Sequence, residues 1–350
     1  MKILQLNFER GWRGGERQTL YCMRQFREAG HEVALMARRG SQMADTARSE
    51  GFQVYEQDGP AGQINFLLGS GRKFDIIHAQ TANTITWAAL TRWAHHRPVV
   101  FSRRTDFRVH NDIKTRFKWR RIDLFVAISE SAAAEPRRLG IKPVIIRSAV
   151  EPVKVDQARV KRFLDEWAPK GKRLISTSAA LIHDKDPITM VEAVNVLAQQ
   201  RNDFVFVHLG GGGDAEQAAR ARVAELGLEK VYLFAGFQKD IESLYSAMDV
   251  FAMSSVEEAL GSSVLDAFLQ RIPVVSTDAG GLKESLAEGR GVLCKVGDHH
   301  AMAAGMQRML DDTTFRQAAI ERAYAYVNQE HDVREMGRRY LREFEGLLRR

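Results

Sequence analysis

Only two cysteines occur in 350 residues, Cys22 and Cys294, far apart and outside any CxxC pair. Their scarcity excludes a disulfide framework and a cysteine-built metal centre, and it fits a reduced compartment with both thiols as buried spectators. No apolar run approaches the roughly 20 residues a helix needs to cross a bilayer. The opening MKILQLNF reads as a β-strand and lacks the charged leader and apolar region of a secretion signal, so a cytoplasmic location is expected. Metal-ligand spacing is missing among the histidines and acids, and no recognised nucleic-acid motif accompanies the basic residues. The pairs His95-His96 and His299-His300 are expected at the surface.

What is present is length and alternation. The chain, 45% hydrophobic, is long enough for two domains with a core each. Short apolar runs alternate with helical patterns: KILQLNF, a helix from about 16 to 29, HEVALMA, FDIIHAQ, PVVFSRR, LFVAIS and VIIRSAV. Such alternation implies a parallel sheet with helices on both faces, a first Rossmann-like domain over 1–150. The aperiodic VEPVKVDQ reads as a linker, after which the series restarts. KRLISTSA, a helix over 187–200, FVFVHLG, a helix over 214–226, KVYLFAG, DVFAMSS and IPVVSTD give a second such domain over 151–330. Residues 331–350 form a basic amphipathic helix.

The formal charge of +7 is uneven: between Arg103 and Arg121, eight Lys or Arg stand against Asp106 and Asp112, interleaved with Phe107, Phe117 and Trp119. This stretch can hold phosphates or lie on anionic lipid, where each basic residue contributes roughly 1 kcal/mol. A solvated helix face is the plainer alternative, and nucleic acid is not an expected partner.

Chemistry concentrates between Ser254 and Glu284, in SSVEEALGSSVLDAFLQRIPVVSTDAGGLKE. Here a loop with acids leads into a helix, a buried strand and a glycine turn, the way an α/β sheet builds a pocket at its strand ends. Glu258 and Asp266 are slightly over two helical turns apart, so with a helix beginning near Gly261 both could face one ligand and accept from sugar hydroxyls. The amides of Ala259, Leu260, Gly261, Ser262, Ser263 and Val264 fall where a helix N-terminus offers free N–H groups to a phosphate. Gly14 and Gly15, followed by Glu16 and Arg17, sit between the first strand and a helix, where glycines allow tight backbone angles and exposed amides.

The acid, seven residues and second acid, followed by PVV, T and AGG, resemble the donor-binding signature of retaining nucleotide-sugar glycosyltransferases of family four (glycosyl transferases group 1), with Asp266 where glutamate is usual. The resemblance extends over nearly the whole chain. It implies the GT-B fold, two Rossmann-like domains facing across a cleft, with the acceptor on the first domain, the donor in the second, and the terminal helix crossing back to the first. It gives Glu258 the hydroxyls of the transferred sugar, Asp266 the ribose, and Lys185, with the amides after Glu258, the diphosphate; Glu258 and Lys185 are the implied catalytic pair. Ala179-Ala180 replace a Gly-Arg pair, so the second cation is sought in Arg103 or Arg104, the latter resembling an arginine of enzymes that act on bacterial surface polysaccharides. Gly14 and Gly15 match the loop near the donor phosphates, and Phe237 and Asp240 the loop that holds the base. Glu16, His78, Gln80 and Arg103 are the implied acceptor or sugar contacts, Gln80 standing where histidine is common. The glycine run Gly210–Gly213 is expected to be structural.

The family likeness also implies transfer without a protein nucleophile and without a metal, so that Asp184-Lys185-Asp186 is not a metal-binding DxD and no cofactor is expected. The donor is a nucleotide-diphospho-sugar, UDP-linked ahead of GDP- or ADP-linked. The acceptor is a glycan or lipid-linked sugar of cell-surface polysaccharide or lipopolysaccharide synthesis, reached at the inner face of the cytoplasmic membrane. A catalytically silent sugar-nucleotide binding module and a nucleotide-sugar 2-epimerase stay open as alternatives.

Overall fold

Strands buried on both faces read as near-continuous apolar runs, and these runs assemble into two all-parallel sheets. The first has seven strands: β1 (Lys2–Asn7), β2 (Glu32–Arg38), β3 (Gln53–Gln57), β4 (Ile76–Ala79), β5 (Val99–Arg103), β6 (Leu124–Ala127) and β7 (Val144–Ile145), in the order β3-β2-β1-β4-β5-β6-β7. The second has six: β8 (Arg173–Ser178), β9 (Phe204–Leu209), β10 (Tyr232–Gly236), β11 (Val250–Met253), β12 (Val274–Thr277) and β13 (Val292–Cys294), in the order β10-β9-β8-β11-β12-β13. This computed structural model describes residues 1–12 and 14–349. The chain divides into two compact units, Met1–Ala149 with the segment from His331 onward, and Val150–Glu330.

Strand order reverses between β1 and β4 in the first unit and between β8 and β11 in the second. At such a reversal the loops leaving adjacent strands run to opposite sides, opening a crevice at the carboxyl ends. Both candidate sites lie at these two points.

The terminal helix Val333–Leu348 starts at Asp332, whose carboxylate accepts the Glu335 amide at 2.8 Å. Its buried stripe of Met336, Tyr340 and Phe344 recurs every four residues and packs within the first unit. Phe344 meets Phe26 edge-to-face at 5.4 Å, and Arg339 donates to the Ile145 carbonyl at 2.6 Å. Burying large apolar side chains contributes about 1.5–3 kcal/mol each, so this distant segment is part of the first core.

Three sequence expectations are corrected. The linker is followed at once by an unanticipated helix, Gln157–Trp167, which Asp156 caps by accepting the Arg159 amide at 3.0 Å. Strands β3 and β13 were not read from the sequence, because QVYEQ and VLC are short and only partly buried. His95 is buried, not at the surface: its Nε2 lies 3.1 Å from the Ala88 carbonyl and its Nδ1 accepts the Arg97 amide at 3.1 Å. Gly71 makes room for it, since a Cβ there would stand 2.8 Å from that of His95. No helix among the described residues is long and apolar enough to cross a membrane.

Candidate functional site

In the second unit, the chain leaving β8 turns through a short 3-10 helix, His183–Lys185, and the reason is local. Asp186 adopts a left-handed conformation (φ 43°) and caps the helix Pro187–Ala198 by accepting the Thr189 amide at 3.1 Å. The chain leaving β11 is fastened to this turn. The Ser254 hydroxyl lies 2.9 Å from the Lys185 carbonyl and 2.8 Å from that of Asp186, and the Val256 amide donates to the Asp184 carbonyl at 2.9 Å. The fastening brings Lys185 Nζ and the Glu258 carboxylate into an ion pair, both side chains about one-fifth exposed. The Asp186 carboxylate is engaged as the cap of the helix Pro187–Ala198, and Asp184 contributes its backbone carbonyl to the fastening.

Glu258 is held from behind by the AGG turn. Gly281 donates its amide to the Glu258 carbonyl at 2.7 Å, and a Cβ on Gly281 would lie 2.3 Å from the Ala259 carbonyl oxygen. The helix Ser262–Leu269 then starts from Gly261, whose φ of 81° and closeness to Leu282 require glycine. The Val264 and Leu265 amides are taken up by the Gly261 carbonyl at 2.9 and 3.2 Å, so Val264 drops out of the expected phosphate donors. Ser262 and Ser263, in the first turn, have no intrahelical carbonyl to reach, and their amides fit an anion. Asp266 is on this helix and 8% exposed, whereas Glu258 precedes it. The two acids therefore do not share a helix face.

Phe237 follows β10 and is 72% exposed, as an aromatic platform for a flat ligand would be. The glycine run is structural. Gly210, at φ 137°, would place a Cβ 1.9 Å from the Ala179 carbonyl, and Gly213 one 2.3 Å from that of Leu181. These glycines let β9 pack beneath the segment that leads to Lys185. Ala180 is exposed and offers no cation there.

In the first unit, a polar network crosses the β1–β4 reversal. Gln80 Oε1 accepts from Arg104 Nη2 at 2.7 Å and Nε at 3.2 Å, while Gln80 Nε2 donates to Gln5 Oε1 at 2.9 Å. Arg104 Nη1 donates to Ser148 Oγ at 3.0 Å. Among the described residues no carboxylate pairs with Arg104, so neutral acceptors aim a half-buried guanidinium whose charge is uncompensated. Gln5, Ser148 and Tyr340 were not anticipated as members. Gln5 and Asn7 inside an otherwise apolar strand were the legible signal.

Other first-unit expectations are corrected. His78 is fully buried and cannot touch a ligand: it packs on Tyr340 and Phe344, its Nε2 lies 2.7 Å from Ser102 Oγ, and that hydroxyl lies 2.7 Å from Tyr340 Oη. Arg103 is 3% exposed, donating to the Phe107 carbonyl at 2.5 Å and lying over the Trp119 ring. Glu16 is 3% exposed and accepts from Asn7 Nδ2 at 3.2 Å, so it stabilises the start of the first helix from within. Gln80, 5% exposed, is committed to Arg104 and Gln5 and acts through them. Gly14 and Gly15 begin the helix Gly14–Glu28 instead of forming a tight turn, and Gly15 approaches Arg104 Cδ.

Two buried histidines give a pH dependence. Burial, then the Arg104 charge, holds His78 well below the usual imidazole range, and burial lowers His208 to about 4. In the unfolded chain both take up protons below about pH 6.5, which the folded state resists. Stability is therefore full above that value and falls as pH drops towards the folded pKa, by about 3 kcal/mol for His208 alone. Urea unfolding at about pH 7, 5.5 and 4.5 checks this; a midpoint that holds constant contradicts it.

Residues 161–326 match the family described as Glycosyl transferases group 1, and residues 12–154 match Glycosyltransferase Family 4. The lipopolysaccharide core biosynthesis glycosyltransferase LpsE of Rhizobium meliloti is 28% identical over 173 residues, 49% of this chain and 48% of that protein. The 2-deoxystreptamine glucosyltransferase of Streptomyces kanamyceticus is 28% identical over 211 residues, 58% of this chain and 54% of that protein. The chain thus spans about half the length of these curated relatives. The crystal structure of HepE from Anabaena in complex with UDP matches with a TM-score of 0.88 at 20% identity, covering 99% of this chain and 100% of that one, a likeness of fold. Residues 12–154 are thus a Family 4 domain and residues 161–326 a group 1 domain of glycosyltransferases, each built on a doubly wound parallel sheet.

Proposed function

We propose that this chain is a retaining, metal-independent glycosyltransferase that takes its sugar from a UDP-linked donor. The observation that carries the reading is the meeting of Lys185 and Glu258 at the strand-order reversal of the group 1 domain, next in sequence to the Ser262 and Ser263 amides. Lys185 and those amides would hold the diphosphate, Glu258 the sugar hydroxyls, Asp266 the ribose, and the exposed Phe237 the base. UDP is favoured because HepE, of the same fold, is described with UDP bound.

In the reaction the bond from the sugar's anomeric carbon to the diphosphate oxygen breaks, and one to the acceptor oxygen forms on the same face. The acceptor proton passes to the departing phosphate. Negative charge grows on the leaving diphosphate, where fixed donors stabilise it most as it develops. Lys185 and the helix amides supply that stabilisation in place of a divalent cation. Arg104, aimed by Gln80, would serve a second anionic group. The burial of His78 counts against a 2-epimerase, which needs proton-transfer groups at the sugar.

The LpsE relative supports an acceptor in lipopolysaccharide or surface-polysaccharide synthesis, and we infer that it is presented at the inner face of the cytoplasmic membrane. A thermal-shift screen of UDP, GDP, ADP and their sugars tests the donor, since a ligand that binds only the folded state raises its stability. Product anomers read by NMR, with and without EDTA, test retention and metal independence. The expected result is a UDP-series shift and a retained anomer unaffected by EDTA. A shift without turnover on any glycan would leave the silent binding module; an inverted anomer or EDTA inhibition would overturn the mechanism.

A further inference from the structure

We propose that the first unit carries a binding site for the phosphate of an anionic membrane lipid, between the helix Ile113–Trp119 and the turn at 138–141. A cavity of about 280 Å³ opens there, lined by Arg116, Arg120, Arg138, Asn111, Trp119 and Ile141 among others. Three guanidinium groups around one small cavity call for an anion, and planar Arg forks match phosphate oxygens in particular. Arg138 is already paired with Glu135 at 2.7 Å. Arg116 donates to the neutral Asn111 Oδ1 at 2.7 Å, and among the described residues no carboxylate pairs with Arg116 or Arg120. Two positive charges in the lining are therefore uncompensated. Trp119, 5% exposed and stacked edge-to-face on Phe125 at 5.0 Å, gives the cavity a fixed floor.

The lipid, in preference to a free phosphate, follows from what stands beside the cavity. Ile113, Arg116, Phe117 and Arg120 fall at i, i+3, i+4 and i+7, one helix face, and Ile113 is 85% and Phe117 43% exposed. Arg92 Nη1 donates to the Arg121 carbonyl at 2.7 Å, which ties in the neighbouring segment and its Trp93, 72% exposed. Exposed large apolar groups alternating with unpaired cations suit the boundary of headgroups and acyl chains, where the apolar groups enter and the cations meet phosphate. Lys114, Arg116, Arg120 and Arg121 are exposed in this segment against Asp112, whose carboxylate is engaged as the helix cap. The complementarity is to a negative surface, and none of these residues belongs to the donor half-site, so the site stands apart from the transfer reaction.

Sedimentation of the full chain with vesicles tests it. Binding is expected to vesicles of phosphatidylcholine doped with phosphatidylglycerol and not to phosphatidylcholine alone, and the Arg116→Gln, Arg120→Gln double variant should bind about 10- to 30-fold more weakly, with a shallower salt dependence. Ile113→Ser should weaken binding and leave the salt dependence unchanged. Both variants should keep the parent's melting temperature and its stabilisation by UDP. Equal binding to neutral vesicles, an unaffected double variant, or thermal stabilisation by inorganic phosphate or a single-stranded oligonucleotide with no binding to vesicles would overturn the lipid site. Vesicle binding that stands while no nucleotide stabilises the chain would instead overturn the donor assignment and leave this site in place.

Discussion

Alanine at position 185 is expected to lower kcat/KM for transfer by roughly 100- to 1000-fold, the effect of removing one fixed donor from a developing oxyanion. It should also remove most of the thermal stabilisation that a nucleotide diphosphate confers. Lys185 supplies a cation to a half-site in which Ala180 offers none. In the unliganded protein its ammonium is occupied by Glu258, so a diphosphate must share or displace that carboxylate. The Glu258→Gln variant consequently separates binding from chemistry. With the competing charge gone, UDP should stabilise it at least as well as the parent, while kcat falls because the sugar hydroxyls exchange a charged acceptor for a weaker neutral one. Because the two residues are in direct contact, the double variant should cost less than the sum of the single ones. A Lys185→Ala protein that binds UDP as the parent does would sink the donor assignment.

Gly281→Ala, a change in a residue without a side chain, is expected to destabilise the second unit by about 1–3 kcal/mol, as overpacking against unyielding neighbours does. The new Cβ would meet the Ala259 carbonyl oxygen at 2.3 Å and Leu260 Cα at 2.8 Å, backbone atoms that cannot rotate away. The loop must shift as a whole, weakening the bond from the Gly281 amide to the Glu258 carbonyl and re-aiming Glu258 and the first turn after Gly261. Nucleotide stabilisation should therefore fall with the melting temperature. Gly69→Ala is the control: it sits in the helix Pro60–Ser70 with nothing within 4 Å of its added Cβ, and should be neutral or slightly stabilising. A Gly281→Ala protein with parental melting and parental UDP response would show that the loop tolerates movement.

Which residues were legible in advance follows a physical pattern. Glu258, Gly261 and Lys185 could be placed in advance because they sit in turns and at a helix start, features set by nearby sequence. His78, Arg103 and Glu16 were placed in the site and lie in the core. His78 and Arg103 are in strands covered on both faces, where alternation separates two sides without saying which is lined by helices and which meets ligand, and Glu16 is in the first turn of the helix Gly14–Glu28, turned inward to Asn7. Arg103 and Arg104 show this directly: adjacent in the chain, one turns to Phe107 and Trp119 and the other to Gln80 and Ser148.

The sequence by itself determined two parallel α/β units, the signature from Glu258 to Gly281, and the basic stretch up to Arg121, all of which rest on period, spacing and composition within a few turns of chain. The tertiary structure decided that Lys185 and Glu258, 73 residues apart, become partners, that the terminal helix seals His78 into the first core, and that Arg116 and Arg120 line a cavity. The reason is the same for each. Strand pairing and helix packing join segments that carry no mark of one another in the sequence, and the reversal of strand order fixes which loops meet.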